Sequence, residues 1–392
     1  MTNTSSPGAG RPVPLRTIAR NWTRLGCLGF GGPPSHIALL RRMCVDAHGW
    51  LDATEFEDAI SATNLLPGPA STQLAIYCAW RLRGAAGAVL GGICFILPGL
   101  TLILTLSAFL FAHHPPLLIL GAAAGAAAAV PPIAVHAGCS LIPASWARIG
   151  RSKAQRARWI AYGAVGGFAA VLIPQALVLV LVACGVTERI VRRQKRVSAG
   201  PNRLLVLGGV GHATAVGGFV AVAWVAFKVG ALSYGGGFVI VPLIEHDAIT
   251  TYHWMTAAQF LDAVALGQVT PGPVVLTVAA VGYAAAGLGG GLLATLVAFA
   301  PSFLFVTVGA PRFDRIRANV GVQAFLTGTG PGVIGAIVGS AIPLTHGLHQ
   351  PWQLPVAVSA LAWLFLARRG VVAALLIAGA VGIVLALGGI AV

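Results

Sequence analysis

The residues of this chain that could do chemistry come in pairs. Asp58 and Asp262, Arg24 and Lys228, and Asn64 and Gln268 are each 204 positions apart. In apolar surroundings a carboxylate can carry a proton, a cation can balance a bound anion, and a neutral amide can hydrogen-bond it. Each also has a plainer use. A carboxylate at a helix start complements the dipole, and a long cationic side chain snorkels to an interface. Gln73 and His36 have no matching partner, because Thr277 and Ile240 hold the equivalent positions. Any role for His36 is therefore asymmetric.

The pairs belong to a stretch written twice. The first copy carries Gly26-Cys-Leu-Gly-Phe-Gly-Gly-Pro33, Trp50 through Asp58, and Leu66-Pro-Gly-Pro69. The second carries Gly230-Ala-Leu-Ser-Tyr-Gly-Gly-Gly237, Trp254 through Asp262, and Thr270-Pro-Gly-Pro273, at the same 204-residue offset without a gap. An internal duplication is the only economical source of that match. Gly31, Gly32 and Pro33, and in the second copy Gly235, Gly236 and Gly237, are expected to break a helix, since glycine loosens it and proline removes a donor. Pro67, Gly68 and Pro69, with Pro271, Gly272 and Pro273, form the second break of each half. Such breaks serve either packing or a solute site, and their recurrence favours the solute.

The elements that must position these residues follow from capping and composition. Asp52 with Glu55, and Thr256 with Gln259, read as capping boxes opening a helix. That helix is expected to run to Leu66. A new segment, Ala70 to Trp80, starts after the first Pro-Gly-Pro, and its exposed N–H groups and positive dipole end form a ready anion site. Hydrophobic residues make up 57% of the 392, and charged residues only 9%. A soluble chain carries about 25% charged residues, so this composition excludes a water-facing surface. Apolar runs of about 20 residues recur. They are continuous rather than alternating, which argues against a β-barrel.

The formal charge of +15 reads as loop charges that set membrane orientation rather than as a nucleic-acid surface. The six cysteines, all between Cys27 and Cys184, have no ligand or redox spacing and read as core residues. No cleavable leader is expected in the polar, basic first 24 residues.

Basic and non-basic loops alternate along the first half: Arg81 and Arg83, then His113 to Pro116, then Arg148 to Arg158, then Arg189 to Arg203. In the second half every comparable loop changes sign, with arginines at Arg312, Arg315 and Arg317 and none in Thr345 to Gln350. The expected architecture is an all-α polytopic membrane protein of two inverted-topology repeats with discontinuous helices, roughly 13 transmembrane elements in all. Residues 1–15 read as a disordered cytoplasmic tail, 16–203 as the first repeat, 204–218 as a linking crossing helix, and 219–392 as the second, inverted repeat.

The sequence has no phosphate loop of the Walker type, no zinc-protease or serine-hydrolase motif and no Cys/His ligand spacing. ATP drive, a metal and other cofactors are thus not expected. At this point Leu28-Gly-Phe-Gly-Gly-Pro33, Leu65-Leu-Pro-Gly-Pro69 with Ser71-Thr-Gln-Leu-Ala-Ile-Tyr77, and Phe95-Ile-Leu-Pro98 resemble the chromate ion transporter (CHR) family. Ser233-Tyr-Gly-Gly-Gly237, Gly267-Gln-Val-Thr-Pro-Gly-Pro273 and Ala300-Pro-Ser-Phe303 extend the resemblance to both halves, as in the long, two-domain form. The resemblance implies an inner-membrane carrier, N-terminus cytoplasmic, that exports chromate on the proton-motive force. Sulfate is the isosteric alternative. Protons and the bilayer are the other partners, with room for a homodimer and none for nucleic acid. The binding set expected is Arg24, Lys228, Asn64, Gln268, Gln73 and both break motifs, with Asp58 and Asp262 coupling protons. Pro33 and Pro34 depart from symmetry, since Gly237 and Phe238 replace them. An intramembrane enzyme and a passive channel are the readings from other classes.

Overall fold

The computed structural model describes residues 13–64, 66, 68–149, 152–194, 218–233, 240–309 and 319–391. The expected linking helix, apart from Gly218, lies outside these residues, as do most of the expected tail, Pro67, Gly235 to Gly237, and the arginines of the 310–318 loop.

Helix α1 (Leu15–Leu28) buries Ile18, Trp22 and Leu25 at helical spacing and leaves Arg16, Arg20 and Arg24 exposed. It ends where Gly29 begins the glycine motif. The Trp22 indole N–H donates to the Ala75 carbonyl at 2.8 Å, which pins α1 to the segment after the first Pro-Gly-Pro. Helix α2 (Pro33–Arg41) restarts the chain with proline at its first position, where a missing donor costs nothing. It runs into a π-helical turn, Arg42–Ala47.

Helix α3 (Ala53–Thr63) is capped by Asp52, whose carboxylate accepts the Glu55 N–H at 2.7 Å. The Glu55 carboxylate turns to Arg81 in an ion pair rather than closing the box. The helix stops three residues short of the expected Leu66, with Asn64 as its C-cap. The residue before a proline is disfavoured in the helical region, and Pro67 pushes the end back.

Helix α4 (Ala70–Leu110) has 41 residues. As one rod it would be about 60 Å long, twice the hydrocarbon thickness. It breaks at Arg83 (φ −148°, ψ 26°) and Gly84 (φ 56°, ψ −146°), between the two segments that the sequence separates. Helices α5 (Leu117–Ala128) and α6 (Val130–Ala147) follow, and then a hairpin of α7 (Lys153–Leu172) and α8 (Leu177–Gln194) around the turn Pro174–Ala176.

The second half repeats the order. It comprises α9 (Gly218–Leu232), α10 (Ile240–His246), a π turn at Asp247–Thr251, α11 (Ala257–Val269), a 3-10 turn at Val274–Leu276, and α12 (Thr277–Gly309). Then come α13 (Val320–His346), α14 (Gln353–Phe365) and α15 (Val371–Leu387). Helix α12 breaks at Ala286 (φ −152°, ψ 32°) and Gly287 (φ 62°, ψ −155°), nearly the dihedrals of the α4 kink. In front of α11 the capping box is complete, with Thr256 N–H on Gln259 Oε1 at 2.9 Å and Gln259 N–H on Thr256 Oγ1 at 3.2 Å.

All described elements are helical, and five spans are long and apolar enough to cross a membrane. Helix α1 packs on α4, α9 on α12, and α4 on α12 at the centre. The terminal hairpins cross over: α7 and α8 pack against α13 of the second half, and α15 against α5 of the first. Small residues permit the contact. A methyl group added at Gly166 would stand 2.0 Å from the Gly332 carbonyl, and one at Gly125 2.1 Å from the Ala378 carbonyl. Phe168, Leu172, Leu296 and Leu366 are more than half exposed on the outside, as expected of a lipid-facing surface.

Candidate functional site

The breaks of each half meet those of the other. The Gly68 N–H, inside the first Pro-Gly-Pro, donates to the Ser233 carbonyl at 2.7 Å. The Gly272 N–H, inside the second, donates to the Gly29 carbonyl at 2.9 Å. Gly29 and Ser233 are equivalent positions, as are Gly68 and Gly272. One exchange of hydrogen bonds is thus made twice, and it stitches the two halves through backbone groups that the broken helices left without partners.

The proline-bearing helices close each junction. A methyl group at Gly68 would stand 2.5 Å from Gln73 Nε2 and 3.1 Å from Ser302 Oγ, on α12. One at Gly272 would meet the Phe95 carbonyl at 3.9 Å and the Gly99 Cα at 4.0 Å, on α4. Gly68 (φ 117°) and Gly272 (φ 99°) hold left-handed backbone that side chains rarely adopt. The motifs Pro98-Gly99 and Pro301-Ser302 therefore lie beside the Pro-Gly-Pro of the opposite half.

The two helices that leave these junctions lack side-chain caps, unlike α3 and α11. The first junction is also rich in unsatisfied polar groups. Thr72 Oγ1, Ser233 Oγ and Ser302 Oγ are buried and have no hydrogen-bond partner among the described residues. At the second junction Gln268 Nε2 and Thr270 Oγ1 share that condition. A buried polar group without a partner costs about 1–3 kcal/mol, and a cluster of them at uncapped helix starts is what an anion would satisfy.

His36 lies between the two junctions. It is fully buried, with Nε2 2.9 Å from the Gly29 carbonyl and Nδ1 3.1 Å from Ser71 Oγ. Its ring meets the edge of Phe95 at 5.2 Å between centroids.

The remaining expected residues divide. Gln73 is fully buried at the first junction, and Asn64 is half-buried at the end of α3. Gly31 (φ 91°) and Gly32 (φ 75°) form the sharp entry to α2, which Pro33 opens. Asp58 is exposed and Asp262 half-buried. Arg24 is exposed on α1. Lys228 is ion-paired with Asp247 and stands 5.7 Å above the Trp224 ring. Thr277 donates to the Val274 carbonyl at 2.8 Å.

Ser233, Ser302, Thr72 and Ser71 were missed by sequence reasoning. The first is equivalent to Gly29, and the second follows Pro301. These are signals, but a serine among apolar residues does not announce which break it faces. Among the described residues no cluster of His, Cys, Asp and Glu could hold a metal ion.

Apolar spans packed around a buried centre define a polytopic helical membrane protein. The chain belongs to the chromate transporter family, whose profile matches residues 16–188 and again 220–383. A chromate transport protein of Cupriavidus metallidurans is 30% identical over 369 residues, covering 92% of this chain and 90% of that protein. One of Pseudomonas aeruginosa is 30% identical over 365 residues, covering 88% and 84%. An uncharacterized transporter of Methanocaldococcus jannaschii is 24% identical over 364 residues, covering 87% and 86%. No solved structure matches this chain. Family membership makes it a transporter and not an enzyme.

Proposed function

We propose that this chain exports chromate from the cytoplasm as a secondary active transporter driven by the proton-motive force, and so confers chromate resistance. It sits in the bacterial inner membrane with its N-terminus cytoplasmic, as two inverted repeats that rock about a central site. The substrate comes from the names of the relatives. The observation that carries the mechanism is the first junction, where the unpartnered Ser302 hydroxyl stands beside Gly68, Ser233 accepts the Gly68 N–H through its carbonyl, and the unpartnered Thr72 hydroxyl lies in the uncapped first turn of α4.

A tetrahedral dianion at that junction takes hydrogen bonds from the first N–H groups of α4 and from Thr72, Ser233, Ser302 and the Gln73 amide. Desolvated donors of fixed geometry suit an oxyanion. Asn64 lies just before the break. The second junction, with Gln268, Thr270 and Gly272, is the weaker counterpart that the anion passes as the repeats exchange access. Asp262 and Asp58 carry the coupled proton. Arg24 and Lys228 add positive potential from further out, Lys228 by releasing Asp247.

Labelled chromate uptake into everted vesicles tests this reading. Energised accumulation that collapses on uncoupling is the expected result. Accumulation that ignores the uncoupler removes proton drive and favours a channel. No accumulation over control vesicles removes chromate export. Inhibition by excess sulfate marks a shared oxyanion site.

A further inference from the structure

His36 belongs to neither junction alone. Its Nε2 faces the Gly29 carbonyl, which also accepts the Gly272 N–H of the second Pro-Gly-Pro. Its Nδ1 faces Ser71, the second residue of α4 after the first Pro-Gly-Pro. One ring therefore ties the glycine break to both helix starts. A carbonyl only accepts, so Nε2 carries a hydrogen and donates to it. In the neutral ring Nδ1 then accepts from the Ser71 hydroxyl.

Those partners allow the ring to gain a proton without losing either contact. When Nδ1 is protonated it donates to Ser71 Oγ, and the hydroxyl changes from donor to acceptor. The Ser71 hydrogen is then free to turn to another acceptor at the α4 N-terminus. The ring also gains a positive charge one residue from Thr72. Both changes favour an anion at the first junction.

The charged groups on the elements packed against α2 do not supply this switch. On α1, Arg16, Arg20 and Arg24 are exposed, and so are Arg42 and Asp46 on the π turn. On α4, Arg81 and Arg83 are exposed, and Arg81 is held by Glu55. Tyr77 and the thiols of Cys27, Cys44, Cys78 and Cys94 are the other titratable groups there. The second half places Ile240 where His36 stands, so it holds no second copy of the device.

We propose that His36 is a proton-binding positioning residue, whose protonation strengthens oxyanion binding at the first junction. The inference rests on the oxyanion reading of that junction. Equilibrium chromate binding to the purified full chain, in wild type and His36→Gln, tests it. Glutamine can still donate to the Gly29 carbonyl but does not titrate. The ratio of the two affinities at each pH cancels chromate's own protonation.

Wild type is expected to lose roughly tenfold in affinity relative to His36→Gln between about pH 5 and about pH 7. It should also take up more protons from weakly buffered solution as chromate binds than His36→Gln does. A constant ratio with unchanged proton uptake overturns the role of His36 and leaves the junction standing. Wild type that binds no chromate at any pH overturns the junction reading itself. Should His36→Gln fail to fold, nitrogen-15 histidine spectra of wild type decide. A ring whose midpoint rises on adding chromate supports the proposal, and one that stays neutral throughout overturns it.

Discussion

The two Pro-Gly-Pro breaks occupy equivalent places yet differ in what surrounds them. Each glycine N–H reaches the other half's glycine motif at nearly the same distance, 2.7 Å and 2.9 Å. After the first break come Ser71, Thr72 and Gln73, leading directly into an α-helix. After the second come Val275, Leu276 and Thr277, and the chain passes through a 3-10 turn before its helix. The residues facing them differ likewise, Ser302 on one side and Gly99 on the other. Both breaks are held by the same kind of backbone bond. The side chains around the first break are richer in buried hydroxyls than those around the second, which places the anion at the first.

The sharpest way to break that comparison is Gly68→Ala against Gly272→Ala. Both alanines meet a left-handed backbone, which costs roughly 1–2 kcal/mol. At Gly68 the new methyl also lies 2.5 Å from Gln73, whereas at Gly272 its nearest atom is 3.5 Å away. Vesicle uptake is expected to vanish for the first and to fall only several-fold for the second. Equal losses would remove the asymmetry.

Next in size are the hydroxyls. Ser302→Ala or Thr72→Val should each weaken chromate binding by about 1.5 kcal/mol, roughly tenfold. Thr277→Val should change it little, since that hydroxyl already has a partner. Titration of the purified variants reads the difference.

The carboxylates come third. Asp262 is half-buried and Asp58 exposed, so Asp262→Asn should cut the response of uptake to a proton gradient several-fold and Asp58→Asn much less. A pH-independent wild type would remove both from the coupling. The smallest effects belong to the outer cations. Lys228→Met should weaken transport modestly, and Asp247→Asn in the same chain should recover part of the loss, because it removes the carboxylate left unpaired. Arg24→Gln should fall within about twofold, since an exposed charge is well screened.

Much of the fold was legible because its strongest signals are local. Gly-Gly-Pro-Pro, the capping residues Asp52 and Thr256, and Pro-Gly-Pro each stop or start a helix through backbone chemistry that neighbours cannot override. The segment boundary at Arg81 to Gly84 likewise became the α4 kink. The sequence places the end of α3 at Leu66 because the Pro-Gly-Pro break begins at the next residue, while Pro67 also acts backward on the chain. The pairing of Gly68 with Ser233 was not legible, since it joins residues of opposite halves. Nor was the ion pair of Lys228 with Asp247, which a charge-balance reading leaves out. His36 was visible as an asymmetry, but its value lies in Gly29 and Ser71, and only the fold brings those together.

The placement of the oxyanion is tested most directly by chromate affinity in purified Ser302→Ala and Thr270→Val, two single hydroxyl losses at the two junctions. Roughly a tenfold loss is expected for Ser302→Ala and less than about twofold for Thr270→Val. Equal losses, or a greater one for Thr270→Val, would contradict the placement of the oxyanion at the first break.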